Sequence, residues 1–267
     1  MRRIFRSLPY FLPPDPEPVA ALFANGRKRR IPKGGTLKAG GMEPRVFLLT
    51  SGQCAYYAGE GFGRRPTILS TILPGRIMGD MTAAVDTRCN VHTAAIETSE
   101  VLELDPGYFQ RTIANDPSLA TLQLKNITAK EESLIEGMVA NFMRPPEERL
   151  LIYMKALLLM TAGLPSNGIV PTEIDWTRVE TFVPTVDANA PAASAPVRLA
   201  ALKGLPSAER LGEALNLNRV SVARIIAGWL RSGRAVRRNR KLFVDPTLFD
   251  GIDDWMSAAT PLSATAE

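Results

Sequence analysis

One short stretch of the sequence combines hydrogen-bond donors, positive charge and helical spacing. Residues 207–230 are predicted to form two short helices joined at Asn216. Ser207 and Asn218 stand where N-caps are favoured, because their side-chain oxygens can accept from the free N–H groups of a first turn. Asn216 tolerates the positive φ that a tight turn between helices requires. This is a helix-turn-helix pattern, the kind that places its second helix in the major groove of DNA.

The second helix divides its residues between a core face and an outward face. Its apolar residues recur at spacings of three and four and are predicted to face the core: Val222, Ile225, Ile226 and Trp229. The residues left outward near its N-terminus are the candidates for contact with base edges and phosphates: Asn218, Arg219, Val220, Ser221 and Arg224.

Charge favours the nucleic-acid interpretation of this helix pair. Residues 207–241 hold nine Lys/Arg and two Glu, a net charge of +7, against +5 for the whole chain. After the second helix, two short apolar runs flank a polar tip, which predicts a two-stranded wing. The tip supplies donors for phosphate oxygens, namely Arg237, Arg238 and Arg240. The alternative is a solvated basic loop behind an ordinary helical hairpin.

The rest of the chain must position this pair, and its length of 267 residues allows two domains. Short alternating segments separated by glycines, between residues 27 and 104, predict an antiparallel β-roll of the double-stranded β-helix or jelly-roll type. The fold class is therefore α+β, with a loose arm and a short helix expected in residues 1 to about 26. We predict a sensor domain at 1–116, a dimerisation helix at 117–144, a winged helix-turn-helix domain at 145–250 with a mobile insertion at about 163–204, and a tail at 251–267.

The insertion is the least regular part of the sequence. Its centre, residues 184–196, is rich in Ala and Pro without periodicity, which is typical of a loop. The flanking residues 169–176 and 197–202 are predicted to pair as strands.

A long helix is predicted from Pro117 to Met143, ended by two prolines. Its apolar residues lie near a seven-residue repeat: Ala120, Leu124, Ile127, Leu134 and Met138. Such a stripe can pair with the same stripe of a second subunit, so we predict a homodimer through residues 117–143. The alternative is a helix that packs only on its own roll.

Composition argues against several other classes of protein. The apolar runs are shorter than the ~20 residues that cross a bilayer, and the N-terminus lacks a signal-peptide core, so we predict a cytoplasmic protein that does not bind membranes. Two cysteines and one histidine provide no iron–sulfur or zinc-finger spacing. Because no nucleophile–base pair or phosphate-binding glycine loop is found, we predict no catalytic activity and no metal site.

The order of roll, long helix and winged helix-turn-helix resembles the Crp/Fnr family of bacterial transcription regulators. The glycine series Gly40, Gly52, Gly75 and Gly79 is similar to that of the family's cyclic-nucleotide-binding roll, and residues 218–224 are similar to its recognition helix. The resemblance implies a homodimer that binds double-stranded DNA operators of two-fold symmetry. It assigns Arg219 to a guanine, and it makes RNA polymerase a further candidate partner.

The resemblance also implies an effector pocket, in which the family's nucleotide-binding residues are only partly kept. Gly79-Asp80 stands for a Gly-Glu pair that binds ribose, and Arg88-Cys89-Asn90 stands for an Arg-Ser pair that binds the cyclic phosphate. Leu134 and Ile135 occupy positions that should offer polar groups to the base. Since several polar contacts are lost, we predict an effector other than cyclic AMP, or a pocket that has lost its ligand.

Two alternative functions remain open from the sequence. Cys89 and His92 lie near the place where a gas-sensing member of the family holds haem, so a haem-based sensor is one alternative. The other is a nucleotide-binding-like signalling module whose basic C-terminus docks on an acidic protein.

Overall fold

The computed structural model describes residues 8–58, 66–163, 174–183 and 198–252. These residues form two compact units, one up to Met143 and the other from Arg144 onward. No helix in the described ranges has both the length and the apolar character needed to cross a membrane.

The first unit is built on two four-stranded antiparallel sheets, with strand orders β1-β8-β3-β6 and β2-β7-β4-β5. The strands are β1 (Arg27–Ile31), β2 (Thr36–Lys38), β3 (Val46–Ser51), β4 (Cys54–Ala58), β5 (Thr67–Ile72), β6 (Ile77–Met78), β7 (His92–Ala95) and β8 (Ser99–Leu104). Their inward side chains, among them Phe47, Leu49 and Ile72, form a core closed to solvent. The predicted antiparallel roll and the α+β class are confirmed.

Four helices accompany the roll: α1 (Glu17–Ala20), α2 (Asp80–Ala84), α3 (Pro106–Asn115) and α4 (Pro117–Met143). Asp105 caps α3 by accepting from the N–H of Tyr108 at 2.6 Å. The carboxylate of Asp116 lies 2.8 Å from the N–H of Ser118, and so satisfies a free donor at the start of α4. The helix α4 ends where the predicted long helix ends, because the prolines that follow cannot continue it.

The N-terminal segment is packed where the structure describes it, so the prediction of a loose arm is wrong for residues 8–16, whereas the predicted short helix is present as α1 and a 3-10 turn at Ala21–Asn25. Leu8, Phe11 and Leu12 are fully buried. The hydroxyl of Ser133, on α4, lies 2.8 Å from the carbonyl oxygen of Leu8. The prolines that indicated looseness instead space out apolar side chains that α4 and the roll cover. Residues 1–7 lie outside the described ranges.

The second unit packs helices against one four-stranded sheet of order β11-β12-β10-β9. Its elements are α5 (Pro146–Ala162), β9 (Thr181–Phe182), β10 (Leu199–Ala201), α6 (Ala208–Leu215), α7 (Arg219–Arg231), β11 (Ala235–Arg238) and β12 (Lys241–Val244). The helix α5 is apolar on most sides and buried along most of its length, as expected of the central helix of a domain.

The predicted strand pairing beside the insertion needs correction. Strand β10 falls within 197–202, and its partners among the described residues are β9 and β12. Of the other predicted strand, residues 174–176 are described, and there Ile174 forms an isolated bridge with Gly163. Residues 164–173 and 184–197, which include the centre of the predicted mobile insertion, lie outside the described ranges, as does the tail from 253 onward.

Candidate nucleic-acid interface and effector cavity

The helix pair α6–α7 forms as local chemistry predicts. The side-chain carbonyl oxygen of Asn218 accepts from the N–H of Ser221 at 2.7 Å, which caps α7. Ser207 caps α6, with its hydroxyl 3.4 Å from the N–H of Arg210. Asn216 ends α6 with a φ of 51°, in the left-handed region that its short amide tolerates. The predicted helix-turn-helix is confirmed.

The turn between the two helices is close enough to require glycine inside α6. A Cβ atom at Gly212 would lie 2.7 Å from the carbonyl oxygen of Leu217, a distance that side chains do not adopt. Gly212 also accepts a hydrogen bond at its carbonyl from the N–H of Leu217, at 2.9 Å. The glycine therefore lets the turn fold back on α6 and fixes where α7 begins.

One face of α7 anchors the helix in the domain. Val222, Ile226 and Trp229 are buried, whereas Ile225, which the spacing predicts to be in the core, is only half-buried. The indole N–H of Trp229 donates to the carboxylate of Glu147 on α5 at 2.6 Å. This bond satisfies the polar end of a buried indole and holds α7 against α5.

The opposite face of α7 carries the predicted base-reading residues. Asn218, Arg219, Val220 and Arg224 are exposed, and Ser221 is half-buried. Among the described residues no carboxylate pairs with either arginine. Val220, next to Arg219, is 64% exposed. The face offers hydrogen-bond donors and one apolar contact, the two kinds of group that read a major groove.

The three arginines predicted at the wing tip fall into two groups, according to whether they contact another side chain. Strands β11 and β12 meet at a two-residue turn, in which Asn239 and Arg240 both have positive φ, as a type I′ turn requires. Arg238 lies over the ring of Phe182, with its guanidinium carbon 4.7 Å from the ring centroid. Arg237 and Arg240 are exposed and have no carboxylate partner among the described residues. These two keep their full charge available for phosphate.

The roll has a cavity of about 30 Å³ at the place where the resemblance implies an effector. Three of the predicted pocket residues line it, namely Gly79, Asn90 and Leu134. Lys38 and Tyr56 also line it, although the sequence analysis did not select them. The volume is enough for a water-sized group and far below the ~300 Å³ at which pockets for drug-sized ligands begin.

The other predicted pocket residues do not line this cavity. Arg88 is exposed and pairs with Glu43, with Nη2 and Oε1 2.8 Å apart. Cys89 is buried, and its thiol lies 3.4 Å from the carbonyl oxygen of Glu43. Ile135 is exposed on α4. In this structure, the predicted phosphate-binding arginine therefore lies at the surface, where its charge is already paired.

Asp80 does not face the cavity as an open acceptor, because it is buried in an ion triad with Lys130 and Asp15. The ammonium of Lys130 lies 2.8 Å from Asp15 and 2.9 Å from Asp80, and all three side chains have no exposed surface. Gln123 donates a further bond to Asp80 at 2.7 Å. Burial alone would lower the pKa of Lys130, but the two carboxylates outweigh it and hold the pKa above its usual range.

Gly79 positions this triad through its backbone. Its φ is 84°, and a Cβ atom there would lie only 1.9 Å from the carbonyl oxygen of Arg45. Only glycine fits such an approach, so the predicted Gly79-Asp80 pair has a structural role in directing Asp80 toward Lys130.

Comparison with known proteins identifies the fold. The cyclic nucleotide-binding domain family matches residues 28–116. FixK2 from Bradyrhizobium japonicum is 14% identical, covers 82% of this chain and 92% of its own, and superposes with a TM-score of 0.61. A CRP-family transcriptional regulator from Thermus thermophilus is 16% identical over 83% of this chain and 94% of its own, with a TM-score of 0.56. The chain has the fold of the Crp/Fnr regulators.

A third structure, the c-di-GMP responsive regulator CLP from Xanthomonas campestris, is 15% identical over 84% of this chain and 96% of its own, with a TM-score of 0.57. No curated protein sequence matches the chain. At these identities the likeness establishes the Crp/Fnr fold, and the chemistry of each site must be argued from this chain's own residues.

The helix α4 of this Crp/Fnr fold is polar toward the roll and apolar toward solvent. Its buried face carries Gln123, Asn126, Ala129, Lys130, Ser133, Glu136, Gly137 and Ala140. Its exposed face carries Leu124, Ile135, Met138, Val139, Phe142 and Met143, of which Leu124 is 66% exposed and Phe142 is 83% exposed. A monomer in water would not favour this distribution, because it leaves a long apolar stripe uncovered.

The exposed stripe shares Leu124 and Met138 with the predicted one and is otherwise offset from it. Residues 124, 128, 131, 135, 138 and 142 alternate spacings of four and three, which is the repeat of a coiled-coil seam, and the polar residues Thr128 and Glu131 interrupt its apolar positions. Ala120, Ile127 and Leu134, which the sequence predicts to lie in the seam, are half-buried at its edge.

His92, the histidine of the haem alternative, lies at the start of β7. It is half-buried, and its ring packs edge-on against Tyr57 with the centroids 6.0 Å apart. The thiol of Cys89 is directed at the carbonyl of Glu43. The described residues contain no group of three or more His, Cys, Asp or Glu that could hold a metal ion.

Proposed function

We propose that the chain is a homodimeric, sequence-specific DNA-binding regulator of transcription, whose roll responds to a small effector other than cyclic AMP. The observation that carries the proposal is the outward face of α7. It presents two arginines without acidic partners among the described residues, beside an exposed valine, on a helix that starts immediately after the turn of the helix-turn-helix.

The chemistry of that face fits the edges of bases. A guanidinium donates two parallel hydrogen bonds to the O6 and N7 atoms of guanine, and Arg219 is the first residue of α7. Val220 offers an apolar contact suited to the methyl group of thymine. Arg237 and Arg240 add donors for phosphate, which fix the register of a protein on DNA without reading its sequence.

The exposed stripe of α4 supports the homodimer. A second copy of the same stripe would cover Leu124, Ile135, Met138 and Phe142 and would generate a two-fold axis. A two-fold dimer presents two copies of α7, so the operator is expected to be a pseudo-palindrome with half-sites spaced by whole turns of DNA.

The cavity supports an effector other than cyclic AMP. A volume of about 30 Å³ cannot hold a nucleotide without rearrangement, and Leu134 presents an apolar side chain to it. Arg88, the candidate for the cyclic phosphate, is exposed and paired with Glu43. RNA polymerase remains a further partner of the proposed regulator.

A salt-titrated gel shift tests the DNA-binding proposal. With random duplex, the logarithm of the binding constant should fall with the logarithm of salt at a slope near −0.9 for each phosphate contact. Arg237→Ala should lower that slope by about one unit, because it removes one phosphate contact. Arg30→Ala, which removes the same charge from an exposed position in the roll, is the matched control.

A genome-wide footprint then supplies the operator for measurements of specificity. Binding that is weak and independent of salt would contradict the proposal, and would favour the alternative in which the basic C-terminus docks on an acidic protein.

A further inference from the structure

Lys38 is a buried cation without an anion. Its side chain is 2% exposed, at the end of β2. Among the described residues neither a carboxylate nor any other hydrogen-bond acceptor pairs with its ammonium, and its nearest aromatic contact is the ring of Tyr56, 5.4 Å away. An unpaired ammonium with little access to water is costly, and proteins ordinarily offset that cost by a lowered pKa, by a partner or by a bound ion.

The charged groups around Lys38 do not supply that partner. Asp80 attracts it from a distance, but the carboxylate of Asp80 is bonded to Lys130, whose own charge repels Lys38. The thiol of Cys89 is near enough to influence Lys38, and it is directed at the carbonyl of Glu43. Burial therefore dominates and lowers the pKa of Lys38.

Lys38 lines the roll cavity together with groups from other parts of the roll and from α4. Tyr56 comes from β4, Asn90 from the segment before β7, and Glu131 and Leu134 from α4. Thr82 also lines the cavity, but its hydroxyl lies 3.1 Å from the carbonyl of Gly79, so its proton is already engaged. The cavity therefore combines the ammonium of Lys38, the amide of Asn90, the phenol of Tyr56 and an apolar wall, with the carboxylate of Glu131 as the acidic group in its lining, within about 30 Å³.

We propose that this cavity binds a compact monovalent anion, such as a carboxylate of one or two carbons or an inorganic anion of similar size, whose charge pairs with Lys38. The inference rests on the proposed function, because it gives the chemical class of the effector. The positive charge that pairs with the anion belongs to Lys38 of β2, and Arg88 lies outside the site. Because Glu131 and Leu134 belong to α4, the bound anion would contact the helix that carries the exposed stripe.

Calorimetry with two probe anions tests the site. Formate and nitrate are titrated separately into the full-length protein, at constant ionic strength with gluconate as the balancing anion. Saturable binding is expected for at least one of them. Lys38→Met keeps the length of the side chain but removes its charge, and should weaken binding about 10–100-fold, as expected for the loss of a charge-assisted hydrogen bond.

Lys33→Met is the matched control, because Lys33 is an exposed lysine in the same part of the roll. It should bind both anions as the unmodified protein does. Equal binding by Lys38→Met and Lys33→Met would overturn the proposal, as would the absence of saturable heat for both anions in the unmodified protein.

A second readout does not require the variant to fold. An anion beside Lys38 raises its lowered pKa, so binding should draw a proton from the buffer at any pH between the pKa of Lys38 without the anion and its pKa with it, and the titration is therefore repeated over a series of pH values. The heat of binding should then differ between two buffers of different ionisation enthalpy. Binding with no proton uptake would place the anion elsewhere and overturn the assignment. These titrations contain no DNA, so their result can be interpreted even if the chain does not bind DNA.

Discussion

Replacing Lys130 with Met should destabilise the roll strongly and make its stability depend on pH. The substitution removes one cation that lies 2.8 Å from Asp15 and 2.9 Å from Asp80, in a site with no exposed surface. Breaking a buried ion pair by removing one partner typically costs about 3–5 kcal/mol, because the other charge remains buried. Here two carboxylates remain.

Protonation of a buried carboxylate limits the loss of stability and makes that loss smaller at lower pH. Keeping an aspartic acid protonated at pH 7 costs about 4 kcal/mol, since its unperturbed pKa is about 3.9 and each unit is worth about 1.4 kcal/mol. In the variant, burial without the neighbouring ammonium raises the folded-state pKa of Asp15 further above the unfolded one. Its contribution is then favourable below about pH 4 and is lost as the pH rises. The deficit relative to the unmodified protein should therefore shrink by up to about 1.4 kcal/mol per pH unit between about pH 7 and pH 5.

The assay uses the distribution of tryptophan. All three tryptophans of the sequence follow residue 144, and the two in the described ranges, Trp176 and Trp229, lie in the second unit, so their fluorescence reports on that unit. Far-UV circular dichroism reports on both units. In urea, Lys130→Met should shift the dichroism transition of the roll and leave the fluorescence transition in place. A matched triple variant that adds Asp15→Asn and Asp80→Asn should recover part of the loss, because no charge is then left buried.

The opposite results would refute the reasoning. An unchanged dichroism transition would mean that the triad contributes little to the stability of the roll. A deficit of the same size at pH 5 and pH 7 would mean that the carboxylates do not take up protons, so that solvent must reach them.

Three further predictions concern the proposed function. Arg219→Ala should cost roughly 1–3 kcal/mol at the operator and relax the preference at one guanine per half-site, measured by binding selection, whereas Arg237→Ala should weaken all sequences about equally. Phe142→Glu or Met138→Glu should give monomers in sedimentation and weaker operator binding, because like charges would meet across the two-fold axis; a fully dimeric protein would place the interface elsewhere. Cyclic AMP should show no low-micromolar binding by calorimetry, and tight binding that also strengthens operator binding would contradict the proposed effector class.

Local signals explain why the helix-turn-helix was predictable. Two caps, a left-handed asparagine and an apolar spacing all fall within residues 207–230, and each depends on the chemistry of a few neighbouring residues. The wing was predictable for the same reason, because its turn also depends on neighbouring residues. The stacking of Arg238 on Phe182 was not predictable, because Phe182 is a distant residue brought into the sheet by β9.

The ion triad had no local signal. Asp15 and Lys130 are 115 positions apart, and isolated charged residues are ordinarily predicted to lie at the surface. The same limit explains the N-terminal segment, whose prolines are informative locally and whose burial depends on α4. A buried Lys38 was equally unpredictable, since nothing near it in the sequence differs from an exposed strand end.

An apolar stripe on α4 was predicted, but not which of its residues are exposed. The apolar residues alone do not show which face of the helix covers the roll, because the side that packs on the roll is polar. The triad and the hydroxyl of Ser133 need acceptors and donors that the roll and the N-terminal segment supply, and these fix the rotation of the helix. Once Lys130 and Ser133 face inward, residues 124, 135, 138 and 142 must face outward, since they lie on the opposite side of the helix.

This arrangement connects the cavity to the exposed stripe through a single rigid element. Lys130 is held in the triad, Leu134 lines the cavity one turn later, and Met138 is exposed one turn after that. A helix resists bending over two turns, so a displacement of Leu134 by an occupant of the cavity must be shared by Met138. The triad opposes that displacement, because moving Lys130 away from either carboxylate leaves a charge buried. An effector in this roll would therefore act by shifting α4 as a unit, and its effect on DNA binding would depend on the dimer that the helix forms.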